Sequence, residues 1–528
     1  ATWSFGRYGD VVAWIAIAAV ALVVLDAQHV PTTFFFDEWS FIFDRRNGGL
    51  DSWLSPHNGH LTLLPAVAYR IGFALFGMDQ YHPYRLMGLL AHIGVASLIF
   101  TYVRRRQGKI IGVAAGALFL LLGSGWEVIY QPFTINFMGA AIFGLISWLA
   151  VDRATKRGDL VAAAAAGAAL MCSGLGIAML IGTAARLSAQ SDWRRLIHVV
   201  VPPGALYAVW YLAYGQSQGS RDNLRLLPRY FVDEAASSVG GLAGRDLLWG
   251  RLALGVLVGI VVMLLVLKRV TNLAVIAPAT AMIVNWMLVG YSRADLGFPT
   301  SSRYVYSGAM FVILVAADIV PRSLQRRTSY LVAGAALIGI WGNWAVLHDG
   351  PTGMRRATVF ARVELRAIEW ASASVDPAYA PDPVRMPIVT AGQYLAAAAD
   401  LGSAAASDAE VAANPDEFRR EVDRVSLEAG GFGLVPASGD CAVSSTMVDG
   451  VEVAPAMVAS GGSVAVTAGD NAVEVRLRRY ADTFPEAPTA VIEPGSTMTI
   501  AVPADTAPKQ EWTIDVRSIS PIGVCPVV

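Results

Sequence analysis

Long apolar runs recur along the first 350 positions and are separated by short polar or glycine-containing breaks. A bilayer core about 30 Å thick needs roughly 20 apolar residues in a helix, so such runs are typical of membrane spans. We therefore predict an α-helical polytopic membrane protein with about eleven transmembrane helices. The predicted spans are 11–25, 84–103, 109–123, 136–151, 159–172, 174–187, 196–214, 249–267, 272–290, 303–320 and 329–347.

Two neighbouring runs, 159–172 and 174–187, are short for a bilayer and flank Ser173-Gly174-Leu175-Gly176. A run of that length spans only by thinning the bilayer or by being buried in protein. Two short helices and one re-entrant hairpin are both compatible with the pattern.

The pattern changes after Pro351. Residues 354–374 and 415–429 have the spacing of amphipathic helices, and from Gly431 onward short β-rich runs alternate with Gly, Pro, Asn and Asp. We predict a transmembrane domain over 1–350 and a soluble domain over 351–528, with a helical linker followed by a β-sandwich or jelly roll. The expected strands are 442–448, 463–466, 472–477, 489–492, 497–502 and 512–516.

Composition and charge support this division. Hydrophobic residues make up 55% and charged residues 15% of the chain, which excludes a cytosolic enzyme, a disordered chain and a fibrous protein. From position 351 onward 13 basic residues face 23 acidic ones, whereas the rest of the chain carries 27 basic and 18 acidic residues. Opposite charge balances predict two different environments.

Basic clusters fall in every second predicted loop, which places those loops in the cytoplasm. The N-terminus is then cytoplasmic, and the C-terminal domain and a long first loop, 27–83, lie outside the plasma (inner) membrane. Apolar positions in 61–76 recur at helical spacing, so this stretch is expected to lie at the outer interface. The basic clusters are Arg104–Arg106 with Lys109, Arg153–Arg157, Arg186 with Arg194 and Arg195, Lys268–Arg269, and Arg322 with Arg326 and Arg327.

The three cysteines have different contexts. Cys172 lies in an apolar run and is expected to be a small core residue. Cys441 and Cys525 both lie in the C-terminal part, where they could form one disulfide in an oxidising compartment.

The first outer loop holds the strongest candidate chemistry. Asp37 and Glu38 directly follow three phenylalanines. Carboxylates beside a membrane are costly unless they are solvated or functional, and one of them is placed to remove a proton from a hydroxyl group. The alternative is a solvated helix cap, since acidic residues are favoured at helix N-termini.

Two histidines, His57 and His60, follow in the same loop. On a helix, residues three apart share one face, where they would contact a donor phosphate or, alternatively, a metal ion. No third metal ligand is fixed by spacing, and we assign no metal; a divalent cation stays an open alternative.

Further along, Arg293, Arg303 and Tyr304 stand where the chain enters a late span from outside. An arginine there is suited to a lipid phosphate, or alternatively to snorkelling toward headgroups. Trp126 and Glu127 follow the third predicted span and are candidates for binding acceptor hydroxyls, or else form an ordinary interfacial pair.

A first helix that runs outward, an acidic Asp37-Glu38 pair and a long outer loop with interfacial helices resemble the GT-C superfamily of polytopic glycosyltransferases. The C-terminal domain resembles that of actinobacterial cell-wall arabinofuranosyl- and mannosyltransferases. This resemblance implies a polyprenyl-phosphate-sugar donor and a catalytic base in the first outer loop, at Asp37 with Glu38 beside it. Arabinofuranosyltransferases of this group often carry Asp-Asp, so the Asp-Glu pair leaves the sugar open.

The resulting hypothesis is a membrane glycosyltransferase that transfers a sugar to a cell-envelope glycan or lipid acceptor on the outer side. Its expected partners are the bilayer, the polyprenyl-phosphate sugar and the acceptor, with no nucleic acid. A lipid-linked glycan transporter and a non-catalytic glycan-binding scaffold are the alternatives.

Overall fold

The computed structural model describes residues 9–28, 32–46, 48–270, 272–320, 325–508 and 510–527. Side chains are described over the same ranges except 325–328. The predicted cytoplasmic N-terminus, Arg322 and the side chains of Arg326 and Arg327 lie outside the described residues.

Helices occupy most of the first 430 positions. They are α1 (Gly9–Asp26), α2 (Glu38–Arg45), α3 (Leu50–Leu54), α4 (Leu63–Phe76), α5 (His82–Gln107), α6 (Lys109–Leu120), α7 (Trp126–Tyr130), α8 (Ile135–Val151), α9 (Lys156–Leu170), α10 (Leu175–Ala189), α11 (Trp193–Tyr214), α12 (Asn223–Gly241), α13 (Leu247–Val266), α14 (Ile276–Arg293), α15 (Ser302–Ile319), α16 (Gln325–Asp349), α17 (Thr352–Trp370), α18 (Ala391–Leu401), α19 (Asp408–Ala413) and α20 (Asp416–Gly430).

Strands follow α20 and form two antiparallel sheets. They are β1 (Gly433–Pro436), β2 (Thr446–Val448), β3 (Val451–Val458), β4 (Ser463–Ala468), β5 (Val473–Arg478), β6 (Ala490–Ile492), β7 (Thr497–Ala501), β8 (Trp512–Ser518) and β9 (Ile522–Pro526). One sheet has the order β1-β7-β4-β9 and the other β2-β3-β8-β5-β6. The expected helical membrane part and C-terminal β-rich domain are confirmed.

The chain divides into two compact units. The first contains 1–30, 44–74 and 82–353, and the second contains 31–43, 75–81 and 354–528. This differs from a division by chain order at 350, because two pieces of the first loop pack with the C-terminal part. In the second unit the Thr32 amide donates to Thr358 Oγ1, at 3.1 Å, and the Met78 amide to the Leu401 carbonyl, at 2.7 Å.

Among the described residues, eight helices are long and apolar enough to cross a membrane, or nine if the bent pair Lys109–Leu120 and Gly123–Tyr130 forms one span. The expected number of about eleven spans exceeds this count by two or three. The difference is α9 and α10, which have 15 residues each. Such helices are about 22 Å long, which is less than the thickness of a bilayer core.

The first unit is a helical bundle in which α1 and α5 run antiparallel. Asp10 at the start of α1 pairs with Arg104 near the end of α5, and Asp26 at the end of α1 pairs with Arg85, at 3.1 Å. Between these ends the Trp14 and Phe100 rings stack with centroids 5.0 Å apart. The contact is close because Gly116 on α6 has no side chain: a Cβ there would lie 2.7 Å from Trp14 Cζ3.

Several basic clusters gather at one end of this bundle. Arg106 at the end of α5 bonds Asp318 at the end of α15, at 2.6 Å, and Asp152 after α8, at 3.0 Å. Asp152 also accepts from Arg186 near the end of α10, at 2.8 Å. We call this side the basic end. α9 starts at the basic end and α10 returns to it. The orientation of the other spans is therefore the same whether this hairpin crosses the membrane or re-enters it.

The first loop contains three helices, α2, α3 and α4, instead of the one or two expected. On α4 the buried positions include Tyr69 and Phe73, whereas Ile71 and Leu75 of the predicted apolar stripe are exposed. An exposed apolar stripe is compatible with a position at the membrane interface.

The second unit combines α17, α18, α19 and α20 with the β-sandwich. The predicted amphipathic helices 354–374 and 415–429 correspond to α17 and α20. Trp512 is fully buried in the sandwich core, as expected for the larger apolar residues of a strand face. Cys441 and Cys525 are joined by a disulfide, and Cys172 is buried in the first unit with its thiol free.

Candidate functional site

The other end of the helical bundle, which we call the open end, starts where α6 is interrupted. The chain bends by 46° between α6 and the Gly123–Tyr130 segment. Gly123 allows α16 to pack closely against this break, because a Cβ at that position would lie 2.0 Å from the Asn343 carbonyl oxygen. The Asn343 side-chain oxygen in turn accepts from the Ser124 amide, at 2.8 Å. The break therefore fixes the start of α7, which carries Trp126 and Glu127.

Glu127 on α7 and Arg303 in the first turn of α15 form an ion pair at 2.8 Å. The Glu127 amide also donates to the Ser302 hydroxyl, at 3.0 Å. The Arg303 side chain is 46% exposed and the Glu127 side chain 14% exposed. The structure thus pairs two residues that the sequence analysis assigned to different ligands, Arg303 to a lipid phosphate and Glu127 to acceptor hydroxyls. The Arg303 guanidinium remains partly exposed.

Trp126 is partly buried and packs against Gly350 within the same unit. A Cβ at Gly350 would lie 2.4 Å from the Trp126 ring. The indole therefore has a fixed position beside the Glu127–Arg303 pair.

A second arginine, Arg293 at the end of α14, faces the same cluster. Burial, together with Tyr304 and Glu234, raises the pKa of Tyr230 on α12, and the charges of Arg293 and Arg303 act against that rise. All four groups therefore lie near the Tyr230 hydroxyl. Among the described residues, no ion pair is found for the Arg293 side chain.

His57 and His60 lie on a tight turn instead of a helix, which corrects the expectation that they share a helix face. The His57 amide donates to the His60 carbonyl, at 2.9 Å, and the His60 amide donates back, at 3.0 Å. Asn58 and Gly59 have φ of 48° and 74°, the positive values of a type I′ turn. An Asn-Gly pair is the usual sequence signal for this turn, so the signal was present in the chain.

The turn is held against the tip of the α9–α10 hairpin and the 216–218 segment. A Cβ at Gly174 would lie 2.7 Å from His60 Cε1, and a Cβ at Gly59 would lie 2.8 Å from the Gln216 carbonyl oxygen. Desolvation, with the nearby charges of Arg293 and His57, lowers the pKa of His60 to about 4. The imidazole is therefore neutral at physiological pH.

Asp37 and Glu38 belong to the second unit and have different surroundings. Glu38 is fully buried; its Oε2 accepts from the Phe35 amide, at 2.8 Å, and from the Tyr81 hydroxyl, at 2.9 Å. Asp37 is partly exposed, and its carbonyl accepts from the Ser40 hydroxyl, at 2.8 Å. Glu38 thus ties the turn from Phe35 to Glu38 to Tyr81, whereas the Asp37 side chain has access to solvent.

Sequence reasoning missed Glu234 on α12. It is fully buried, both carboxyl oxygens have no hydrogen-bond partner, and burial raises its pKa well above the usual range. A carboxyl without partners in an apolar setting is costly in any protein. The only sequence signal was an acidic residue, after Asp233, within an otherwise apolar stretch of α12.

In the described part of the chain, one group of three acidic side chains has the spacing of a metal site: Glu364, Asp382 and Glu421 in the second unit. Arg385 lies among them, bonded to Glu364 and 2.7 and 2.9 Å from the other two. A guanidinium therefore already supplies the positive charge there. Burial is also the main reason that the pKa of Glu364 rises to about 8.

No family model matches the chain, and no curated protein matches it. Among solved structures, the crystal structure of ArnT from Cupriavidus metallidurans in the apo state is similar to this chain at 16% sequence identity. The match covers 70% of this chain and 81% of that chain, with a TM-score of 0.42. A likeness of this size does not establish a common fold.

Proposed function

We propose that this protein is a membrane glycosyltransferase that uses a polyprenyl-phosphate sugar and acts at the open end of the helical bundle. The observation that carries the proposal is the half-exposed Arg303 guanidinium, paired with Glu127 at 2.8 Å, which shares the surroundings of Tyr230 with Tyr304 and with a second cation, Arg293. Cations and hydrogen-bond donors beside lipid-facing helices are suited to a lipid-linked phosphate.

The leaving group of such a reaction is a phosphate, so stabilising its charge lowers the barrier. Arg303 is held by Glu127 and keeps an exposed side for the phosphate oxygens. Arg293 supplies the second positive charge. Because His60 is neutral, its ring is available as a hydrogen-bond donor without adding charge.

Asp37 is the proposed general base. It takes the proton of the acceptor hydroxyl, whose oxygen then forms a bond to the anomeric carbon while the bond from that carbon to the phosphate oxygen breaks. The fully buried Glu38, tied to Phe35 and Tyr81, has a positioning role for this segment. General-base catalysis of this kind contributes about 10²- to 10⁴-fold to rates.

Trp126 and Glu127 are the proposed acceptor side of the site. A fixed indole offers an apolar face to a sugar ring, and Glu127 can accept from a hydroxyl while it orients Arg303. A cell-envelope glycan or lipid is the proposed acceptor, and arabinofuranose and mannose are the donor sugars to test first. We assign no cofactor.

The proposed orientation places the basic end in the cytoplasm and the open end and the C-terminal domain outside the inner membrane. The positive-inside rule supports it, because several basic clusters meet at one end of the bundle. The Cys441–Cys525 disulfide suits an oxidising compartment.

The test is an assay of the full chain in lipid nanodiscs with short polyprenyl-phosphate arabinofuranose or mannose, with and without divalent cations. The readout is release of free polyprenyl phosphate in the presence of a glycan acceptor. We expect Asp37→Asn to lower turnover at least about 100-fold with unchanged donor binding. Asp44→Asn, an exposed carboxylate change in the same loop, is the matched control and should retain full turnover.

Near-normal turnover of Asp37→Asn would exclude Asp37 as the base. Binding of the donor with no release of polyprenyl phosphate, under all these conditions, would favour the glycan-binding scaffold. Movement of intact donor across proteoliposomes without cleavage would favour the transporter.

A further inference from the structure

A cleft at the basic end of the bundle is separate from the open-end site. It has a volume of about 800 Å³ and lies between α1, α6 and α16 of the first unit. Small aliphatic side chains line its walls, and its polar residues lie at one mouth. Ala114 and Ala117 of α6 and Ala333 and Ala336 of α16 line the wall, and Asp10 and Lys109 lie at the mouth.

The dimensions of the cleft match one membrane leaflet. From Lys109 to Ala117 on α6 the helix rises about 12 Å, and from Ser329 to Ile340 on α16 about 16 Å. Half of a bilayer core is about 15 Å thick. Leu337 is 67% exposed and Ile110 42% exposed, so the cleft opens to the lipid side of the bundle.

The mouth carries an excess of positive charge and free backbone donors. Asp10 is bonded to Arg104 and lies 3.5 Å from Lys109, so one carboxylate faces two cations. Gly108, the N-cap of α6, has φ of 89° and supplies no side-chain cap. Gly108 and Lys109 both line the cleft, so the uncapped start of this 12-residue helix lies at the mouth, an arrangement that favours a phosphate group beside the lysine.

From these features we infer that the cleft binds one anionic phospholipid from the leaflet at the basic end. An acyl chain lies along the alanine-lined wall between α6 and α16, and the phosphate sits between the N-terminus of α6 and Lys109. The lipid joins α1 to α6 and α16 in this leaflet. This inference does not depend on the proposed transferase activity.

The experiment is native mass spectrometry of the full chain, taken into mild detergent from bilayers of equal phosphatidylglycerol and phosphatidylcholine. We expect one retained phosphatidylglycerol. Ala114→Phe with Ala333→Phe should remove it by filling the cleft, and Ala335→Phe, on an exposed face of the same helix, should not. The melting temperature of each variant shows whether it is folded.

A second pair of variants tests the headgroup without filling the cleft. Lys109→Gln should lower the preference for phosphatidylglycerol about fivefold, the effect of one lysine near an anionic lipid. Arg105→Gln removes an exposed charge at the same end outside the cleft, and should leave the preference unchanged.

Three results would overturn the inference. Equal retention of both lipids would indicate ordinary surrounding lipid, and retention by the folded double phenylalanine variant would place the lipid elsewhere. A lipid that binds only after residues 1–8 are removed would identify that segment as the occupant of the cleft.

Discussion

The basic end and the open end of the helical unit use the same kinds of side chain in different ways. At the basic end Arg106 bonds two carboxylates, and Asp318 also accepts from Asn272, at 3.0 Å. At the open end Arg303 has one carboxylate partner among the described residues and is 46% exposed, and the Glu234 carboxyl group has no hydrogen-bond partner there. Charges that satisfy one another hold helix ends together, whereas charges with spare capacity are available to a ligand.

The contrast also shows that the more deeply buried carboxylate is not the one at the candidate site. Asp318 is more deeply buried than Glu127, and removing it leaves a buried cation with one partner fewer. Loss of one member of a buried pair is costly for stability, and loss of an exposed pair is not. The two ends should therefore respond to substitution through different measurements.

The largest effect is expected from Asp318→Asn. It removes one carboxylate from Arg106 and should lower the free energy of unfolding by about 3–5 kcal/mol. The measurement is thermal unfolding of the purified chain in detergent. Asp159→Asn is the matched control at the same end, because its bond to Arg195 is more exposed and should cost about 1 kcal/mol or less. Equal melting temperatures for the two variants would contradict the conclusion that buried charge pairs hold the helix ends together at the basic end.

Arg303→Gln should change the kinetics of the donor more than the stability of the chain. We expect kcat/KM for the donor to fall at least about tenfold, since a charge-assisted contact to phosphate is lost, with little change in melting temperature. Arg157→Gln, an exposed arginine at the basic end, should change neither quantity. A large loss of stability without a change in kcat/KM would make Arg303 a structural residue like Arg106.

The smallest effect is expected from Gly174→Ala, which pushes on His60 from the tip of the α9–α10 hairpin. Displacing the imidazole should lower kcat/KM for the donor several-fold, because small misplacements of a contacting group reduce rates. Gly167→Ala is the matched control: its nearest neighbour is 3.7 Å away, on Pro203, so it is an ordinary helix substitution. Identical kinetics for the two variants would remove His60 from the donor site.

Residue pattern predicted most of the architecture, because spans and strands follow from local hydrophobic periodicity. The long runs became the long helices of the first unit, and five of the expected β-rich stretches coincide with β4, β5, β6, β7 and β8. The strands β1, β3 and β9 were missed. β1 and β9 pair with strands that are distant in sequence, β7 and β4. β3 follows β2 through Asp449-Gly450, whose positive φ values form a hairpin turn, so a local signal for β3 was present and overlooked.

The candidate site was predicted in part. Arg303, Tyr304, Arg293 and Glu127 were chosen as candidates because charged and polar residues at span ends are conspicuous in an apolar chain. Their mutual arrangement was not, since an ion pair between residues 127 and 303 depends on how α7 meets α15. Glu234 gave too weak a signal, because an acidic residue that follows another one, Asp233, is usually solvated.

By itself, the sequence determined that this is a multi-pass membrane chain with a β-rich C-terminal domain, since apolar length and strand periodicity are local properties. Only the tertiary structure decided which charges are paired, that His57 and His60 face each other across a turn, and that Glu38 is buried while Asp37 is not. It also decided that two pieces of the first loop pack with the C-terminal part. These features depend on contacts between residues far apart in the chain, and burial and charge pairing are set by those contacts.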